Sequence, residues 1–169
     1  MTSVPDTGYI RCQVTHLEVT QMQHDGFTSA QDALTFILAG KARFTLTSGK
    51  TGTHYTYKVD APKDADIYDL ATPRFVTVLN GPDNSWSGDW LYLGLIGKEG
   101  RLVAGRKGLP DAPSFKALDW ALGHLNADTL PEALTIQHEG KCCRCGHALT
   151  RPESIALGIG PECRSKMGV

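Results

Sequence analysis

The chain lacks any apolar run near the roughly 20 residues that a membrane-spanning helix needs. Its first residues, Met-Thr-Ser-Val-Pro-Asp, lack the basic and apolar segments of an export signal. Both absences lead to the expectation of a cytoplasmic protein with no membrane partner. An excess of charge of either sign is also missing: 17 Lys and Arg stand against 18 Asp and Glu, for a net charge of −1. Bulk attraction to nucleic acid is thereby excluded, and only local basic patches remain. Neither a G-x-S-x-G elbow nor an H-E-x-x-H helix occurs. The deaminase combination of H-x-E with P-C-x-x-C is absent too, since Pro161 leads to a single Cys. Gly49-Lys50-Thr51 looks like the tail of a phosphate-binding loop. Phe44, however, occupies the place of the required first glycine, and a strand follows where a helix is needed. No nucleotide cofactor is expected.

What is present describes a globular protein, 41% hydrophobic and 21% charged, long enough at 169 residues for one ordinary core with a small appendage. Residues 10–20 alternate in polarity and read as a strand, with Cys12 as a small strand residue. Ser29 to Asp32 reads as a helix start, with Ala30, Ala33, Leu34, Ile37 and Leu38 on one face and Gly40 beyond its end. Ala42–Thr47 and His54–Val59 read as a hairpin around Ser48–Gly52. Asp64, Asp66 and Asp69 fall in a solvated loop. Arg74–Leu79, Trp90–Ile96 and a short segment after Arg101 continue the strands. A second helix over Ser114–Asn126 presents Phe115, Leu118, Leu122 and Leu125 at core-facing spacing. The fold class expected is α+β: an antiparallel sheet of about four to six strands with two helices, plus a small C-terminal zinc finger. The division expected is an α+β domain over 1–133 and a finger module over 134–169.

That module holds four of the five cysteines. His138, Cys142, Cys145 and Cys163 follow H-x3-C-x2-C-x17-C. A tight turn at C-x2-C-G brings two thiolates onto one ion, with Gly146 supplying the unusual backbone angle. The third Cys and a His complete a Cys3His shell of the kind that structural Zn2+ sites use. A redox C-x-x-C usually opens a helix, which Gly146 disfavours, and a disulfide needs an oxidising compartment. The fourth ligand has two candidates, His138 and His147. His138 is favoured because it ends an alternating strand, Leu134–His138, that leads to the metal. Cys143, between two ligands, should point away. Pro161 suits the first turn of a short helix over Glu162–Met167.

The run Cys142-x-x-Cys145-Gly146, then Leu149-Thr150-x-Pro152-x-Ser154-Ile155, then Gly158-Ile159-Gly160-Pro161-x-Cys163, resembles a short zinc-binding domain of unknown function. Such domains end many phage and mobile-element proteins and are attached to some helicases. The likeness covers about the last 30 residues. Ile37–Leu46 and Thr53–Val59 also resemble small phage-type proteins that end in this module. The resemblance implies a phage setting, with location in the host cytoplasm, and no particular reaction.

Three functions are open at this stage. One is a zinc-binding accessory protein that associates with nucleic acid, DNA in the first instance, through Lys141, Arg144, Arg151, Arg164 and Lys166. The second is a protein-binding inhibitor or adaptor acting on a host or phage enzyme, such as an anti-defence protein, with Trp86 and Trp90 as anchoring rings. The third is an enzyme. A closed four-ligand shell has no place for water, so no catalytic residue is expected. Zinc-dependent hydrolysis would need one open position, with Glu139 or Glu162 as base.

Overall fold

The computed structural model describes residues 26–63, 71–81 and 87–168. The strand expected at 10–20 with Cys12, the carboxylates Asp64, Asp66 and Asp69, and Trp86 lie outside the described residues.

Among the described residues six strands form one antiparallel sheet: β1 (Lys41–Ser48), β2 (His54–Asp60), β3 (Arg74–Leu79), β4 (Trp90–Ile96), β5 (Leu102–Val103) and β6 (Leu134–His138). Their order across the sheet is β5-β4-β3-β2-β1-β6. The helices are α1 (Ala30–Leu38), α2 (Pro113–Asn126), α3 (Pro152–Leu157) and α4 (Pro161–Met167). The expected α+β class is therefore the observed one.

Each strand is held by its alternation. Ala42, Phe44 and Leu46 of β1, Tyr57 and Val59 of β2, and Val76 and Val78 of β3 are buried on one face. In β4 the register slips: Val76 pairs with Gly94 and Thr77 with Tyr92, so Leu93 is an extra residue. This bulge lets Leu93 and Gly94 both be buried. Helices α1 and α2 touch each other and share one core cluster with the buried strand face. The Tyr57 hydroxyl donates to the Ser114 carbonyl at 2.8 Å, tying β2 to the first turn of α2. The opposite face bears Arg43, Thr45, Thr56, Lys58 and the exposed side chains of Phe75 and Val103.

The ends of α1 are satisfied by one local and one distant contact. The Ser29 hydroxyl accepts the Asp32 N–H at 3.3 Å, as an N-cap does. At the other end, Arg74 is 2% exposed and its Nε donates to the Leu38 carbonyl at 3.1 Å. A buried guanidinium thereby meets the negative end of the helix.

The sheet is not a simple meander. After α2 the chain returns so that β6 pairs with β1, with Phe44 opposite His138 and Leu46 opposite Ile136. The division expected at 133/134 thus coincides with the start of a strand of the main sheet.

Candidate metal centre

Beyond β6 the backbone folds into a narrow loop. Lys141 bridges to Ala148, and the Leu149 N–H donates to the Gly140 carbonyl at 2.9 Å. Inside it, the Gly146 N–H donates to the Cys142 carbonyl at 2.9 Å and the Cys142 N–H to the His147 carbonyl at 2.8 Å. Gly146 sits at φ +80°, the left-handed region that the turn after C-x2-C demands. Helices α3 and α4 follow, each opened by a proline, with Gly158 between them. The first of these short helices was not foreseen. The second, expected over Glu162–Met167, starts one residue earlier, at Pro161.

The loop and α4 bring the Sγ atoms of Cys142, Cys145 and Cys163 within 4.8 Å of one another. A tetrahedral ion bound by thiolates at about 2.3 Å keeps its sulfurs about 3.8 Å apart, so the trio fits a metal ion after small adjustment. The Gly160 N–H donates to Cys142 Sγ at 3.4 Å. Burial pushes the Cys142 thiol up, but backbone N–H groups of Gly160, Cys145 and Arg144 and the Cys145 thiol favour its thiolate, leaving it at about 7. Cys163 is pushed up to about 11, first by burial and then by its thiol neighbours. Without a cation, the cluster accepts one negative charge readily and resists the next. A divalent ion among the sulfurs removes that resistance.

The two histidines part company. His138 does not join the sulfurs. Its Nδ1 accepts the Gly140 N–H at 3.0 Å, so Nε2 carries the proton and donates to the Ile155 carbonyl at 2.6 Å. Its ring packs beside Phe36, with centroids 5.2 Å apart, and beside Phe27, at 5.6 Å. Both ring nitrogens of His138 are thus engaged within the fold, apart from the sulfur trio. His147, the other candidate, is exposed and places Nδ1 3.3 Å from Cys145 Sγ. It lines the same cavity, of about 260 Å³, as Cys142, Cys145, Cys163, Arg151 and Glu162.

Cys143 is buried, 1% exposed, and belongs to the main core. Burial, followed by repulsion from Cys142, pushes its thiol up to about 12. Its N–H donates to the Gly158 carbonyl at 2.9 Å, and its carbonyl accepts the Lys41 N–H at 2.7 Å. The residue between the two knuckle cysteines thus joins the module to β1.

The basic residues of the module separate into groups. Arg151, at the entry to α3, borders the sulfur cavity, and Arg164 and Lys166 are exposed in the last turn of α4. Arg144 is half-buried in the knuckle. Lys141 lies elsewhere: its Nζ is 3.2 Å from Glu139 Oε2, in a cleft shared with Lys41, Arg43 and Lys58. Those three strand cations were not singled out from the sequence. Their signal was the polar face of the hairpin, with Lys41 and Arg43 two apart on β1 and Lys58 opposite Arg43 on β2. Trp90 is half-buried with the Lys58 ammonium 3.6 Å from its ring centroid. Trp120 on α2, also not singled out, is 50% exposed.

The class these features define is an α+β sheet protein with a C-terminal cysteine cluster able to hold a metal ion. Residues 132–168 match the model of a family of unknown function, DUF6011. No curated protein and no solved structure matches the chain. No helix among the described residues is long and apolar enough to cross a membrane.

Proposed function

We propose that the chain is a phage-type, zinc-binding accessory protein of the cytoplasm that associates with nucleic acid, without catalytic activity of its own. Cys142, Cys145, Cys163 and His147 hold one structural zinc, which fixes α3 and α4 against the sheet. The observation that carries the metal is the convergence of three sulfurs from two elements within 4.8 Å. Soft thiolates with one imidazole suit zinc, and the binding energy is then folding energy for a segment too short to bury a core alone. Nucleic acid is favoured as the partner by the basic side chains that the module displays, Arg151, Arg164 and Lys166 among them. The test is titration of zinc-loaded protein against labelled single- and double-stranded DNA and RNA across a salt series. Affinity that falls steeply with salt, and falls again when Arg144, Arg151 and Arg164 are neutralised, supports the reading. Absence of binding at low salt removes it.

One observation favours a second reading, docking to a protein. Trp120 stands exposed between two surface grooves, and Lys50 and Lys116 line the more apolar of them together with Leu46, Tyr55 and Leu134. Such a groove suits a partner that presents an apolar side chain beside a carboxylate. On this reading Trp120→Ser abolishes association with a stoichiometric partner while zinc content stays unchanged; association that survives the substitution removes it.

A further inference from the structure

The register of the β1–β2 hairpin sets Lys41 opposite Asp60, a favourable pair, but sets Arg43 directly opposite Lys58. Like charges facing each other across a sheet destabilise it. The two cations share the face turned away from α1 and α2, and they have company. Lys41 and Lys141 line the same cleft, of about 510 Å³, between this face and the knuckle at Gly146. Two carboxylates also line it. Glu139 is bound to Arg43 Nε at 3.4 Å and to Lys141 Nζ at 3.2 Å, and Asp60 faces Lys41. Four cations against two carboxylates leave the cleft net positive. The Lys58 amine is held below its usual range by burial and then by Arg43, against the opposite pull of Asp60 and Glu139, and an anion arriving here adds to the side of the carboxylates.

The neighbouring groove, sharing Arg43 and Glu139 with the cleft, is lined by Thr45, Thr56, Trp90 and Gln137. The Thr45 and Thr56 hydroxyls there bond to each other at 2.8 Å, with the Trp90 ring and the Gln137 amide beside them. Phosphate beside hydrogen-bonding and aromatic groups matches a nucleotide chain whose base edges are not already paired.

We propose that the Arg43–Lys58 cleft binds the phosphate backbone of a single-stranded nucleic acid, with Lys41 and Lys141 as further phosphate contacts and the adjoining groove receiving a base. The cation–π contact with Trp90 makes that ring a positioning residue for the Lys58 ammonium. This rests on the nucleic-acid reading above, but moves the principal contact from the α3–α4 side of the module to the sheet face.

The test uses the zinc-loaded full chain and a fluorescent single-stranded oligonucleotide, titrated at several salt concentrations. Three proteins are compared: wild type, Lys41→Gln with Lys58→Gln, and Arg151→Gln with Arg164→Gln. Loss of two backbone contacts should lower affinity about tenfold and reduce the slope of log K against log salt by about 1.4, at about 0.7 per single-strand contact. Lys58→Gln removes the facing like charge, which offsets loss of the exposed Lys41–Asp60 pair and of the Lys58–Trp90 contact, so the melting temperature should change little, which separates lost binding from lost fold. If only the Arg151/Arg164 variant loses affinity and slope, the nucleic-acid reading stands and the sheet-face cleft is wrong. If wild type binds nothing at low salt, both fall. Equal affinity for a duplex, or competition by inorganic phosphate at the oligonucleotide's own affinity, overturns the single-strand assignment.

Discussion

The imidazole of His138 donates from Nε2 to the carbonyl oxygen of Ile155 at 2.6 Å, across the join between the sheet and the metal module. One element is β6 and the other is α3. This contact, with the rings of Phe27 and Phe36 around the same imidazole, makes His138 a structural clamp.

His138→Ala should therefore destabilise the chain by about 1–3 kcal/mol, through loss of two part-buried hydrogen bonds and of the ring packing against Phe27 and Phe36. Metal content should stay at one ion per chain by this account. Chemical denaturation and metal analysis of the same sample separate the effects; loss of metal with unchanged stability would return His138 to the ligand shell.

His147→Ala should do the opposite. Removing partners that merely orient ligands already costs about 10–100-fold in metal affinity, so loss of a ligand should cost at least about tenfold. Competition with a chromophoric chelator reads this directly. Unchanged affinity would mean that some other group, or water, takes the fourth position.

Gly158 and Gly160 make a matched pair. Gly158 ends α3 at φ +65°, and a methyl group there would overlap the Phe36 ring. Gly158→Ala combines a left-handed strain with overpacking and should cost about 2–4 kcal/mol. Gly160 has φ −73°, and a methyl group there meets only Leu149, at 3.8 Å. Gly160→Ala keeps the N–H bond to Cys142 Sγ and should cost under about 1 kcal/mol. Thermal melts of the zinc-loaded proteins check the order.

Metal uptake should release protons, and more of them at about pH 6 than at about pH 8. Cys142, lying at about 7, still carries its proton at the lower pH and has mostly lost it at the higher. Cys163, at about 11, must give one up at either. Apparent metal affinity therefore falls as pH drops through this window. Calorimetry in buffers of different ionisation enthalpy counts the protons; a count independent of pH would contradict the Cys142 assignment.

Much of the fold was readable because its signals are local. Phe44 and Leu46, or Val76 and Val78, declare a buried face by alternation, and Ser29 with Asp32 marks where α1 begins. The cysteine cluster was readable for the same reason: C-x2-C-G closes a loop within a few residues. What escaped was set by pairing between distant segments. Nothing near Leu134–His138 says that its partner is β1, so the arrival of Glu139 and Lys141 beside the Arg43–Lys58 pair stayed hidden. Helix α3 spans six residues, too few for a periodicity to emerge. His138 lies at the end of the expected strand, with its ring packed on the core and not among the sulfurs. Its alternation with Ile136, which is fully buried, already puts both on the inner face, so the ring turns into the aromatic cluster of Phe27 and Phe36.

The most direct test of the central claim is the metal content of the purified full chain, wild type against Cys145→Ser, read together with limited proteolysis. The account predicts one zinc per wild-type chain, lost or strongly reduced in the variant, with new cleavage confined to the region after β6. Metal-free wild-type protein that resists protease as well after chelator treatment as before it, or a Cys145→Ser protein with unchanged zinc and unchanged resistance, would contradict it.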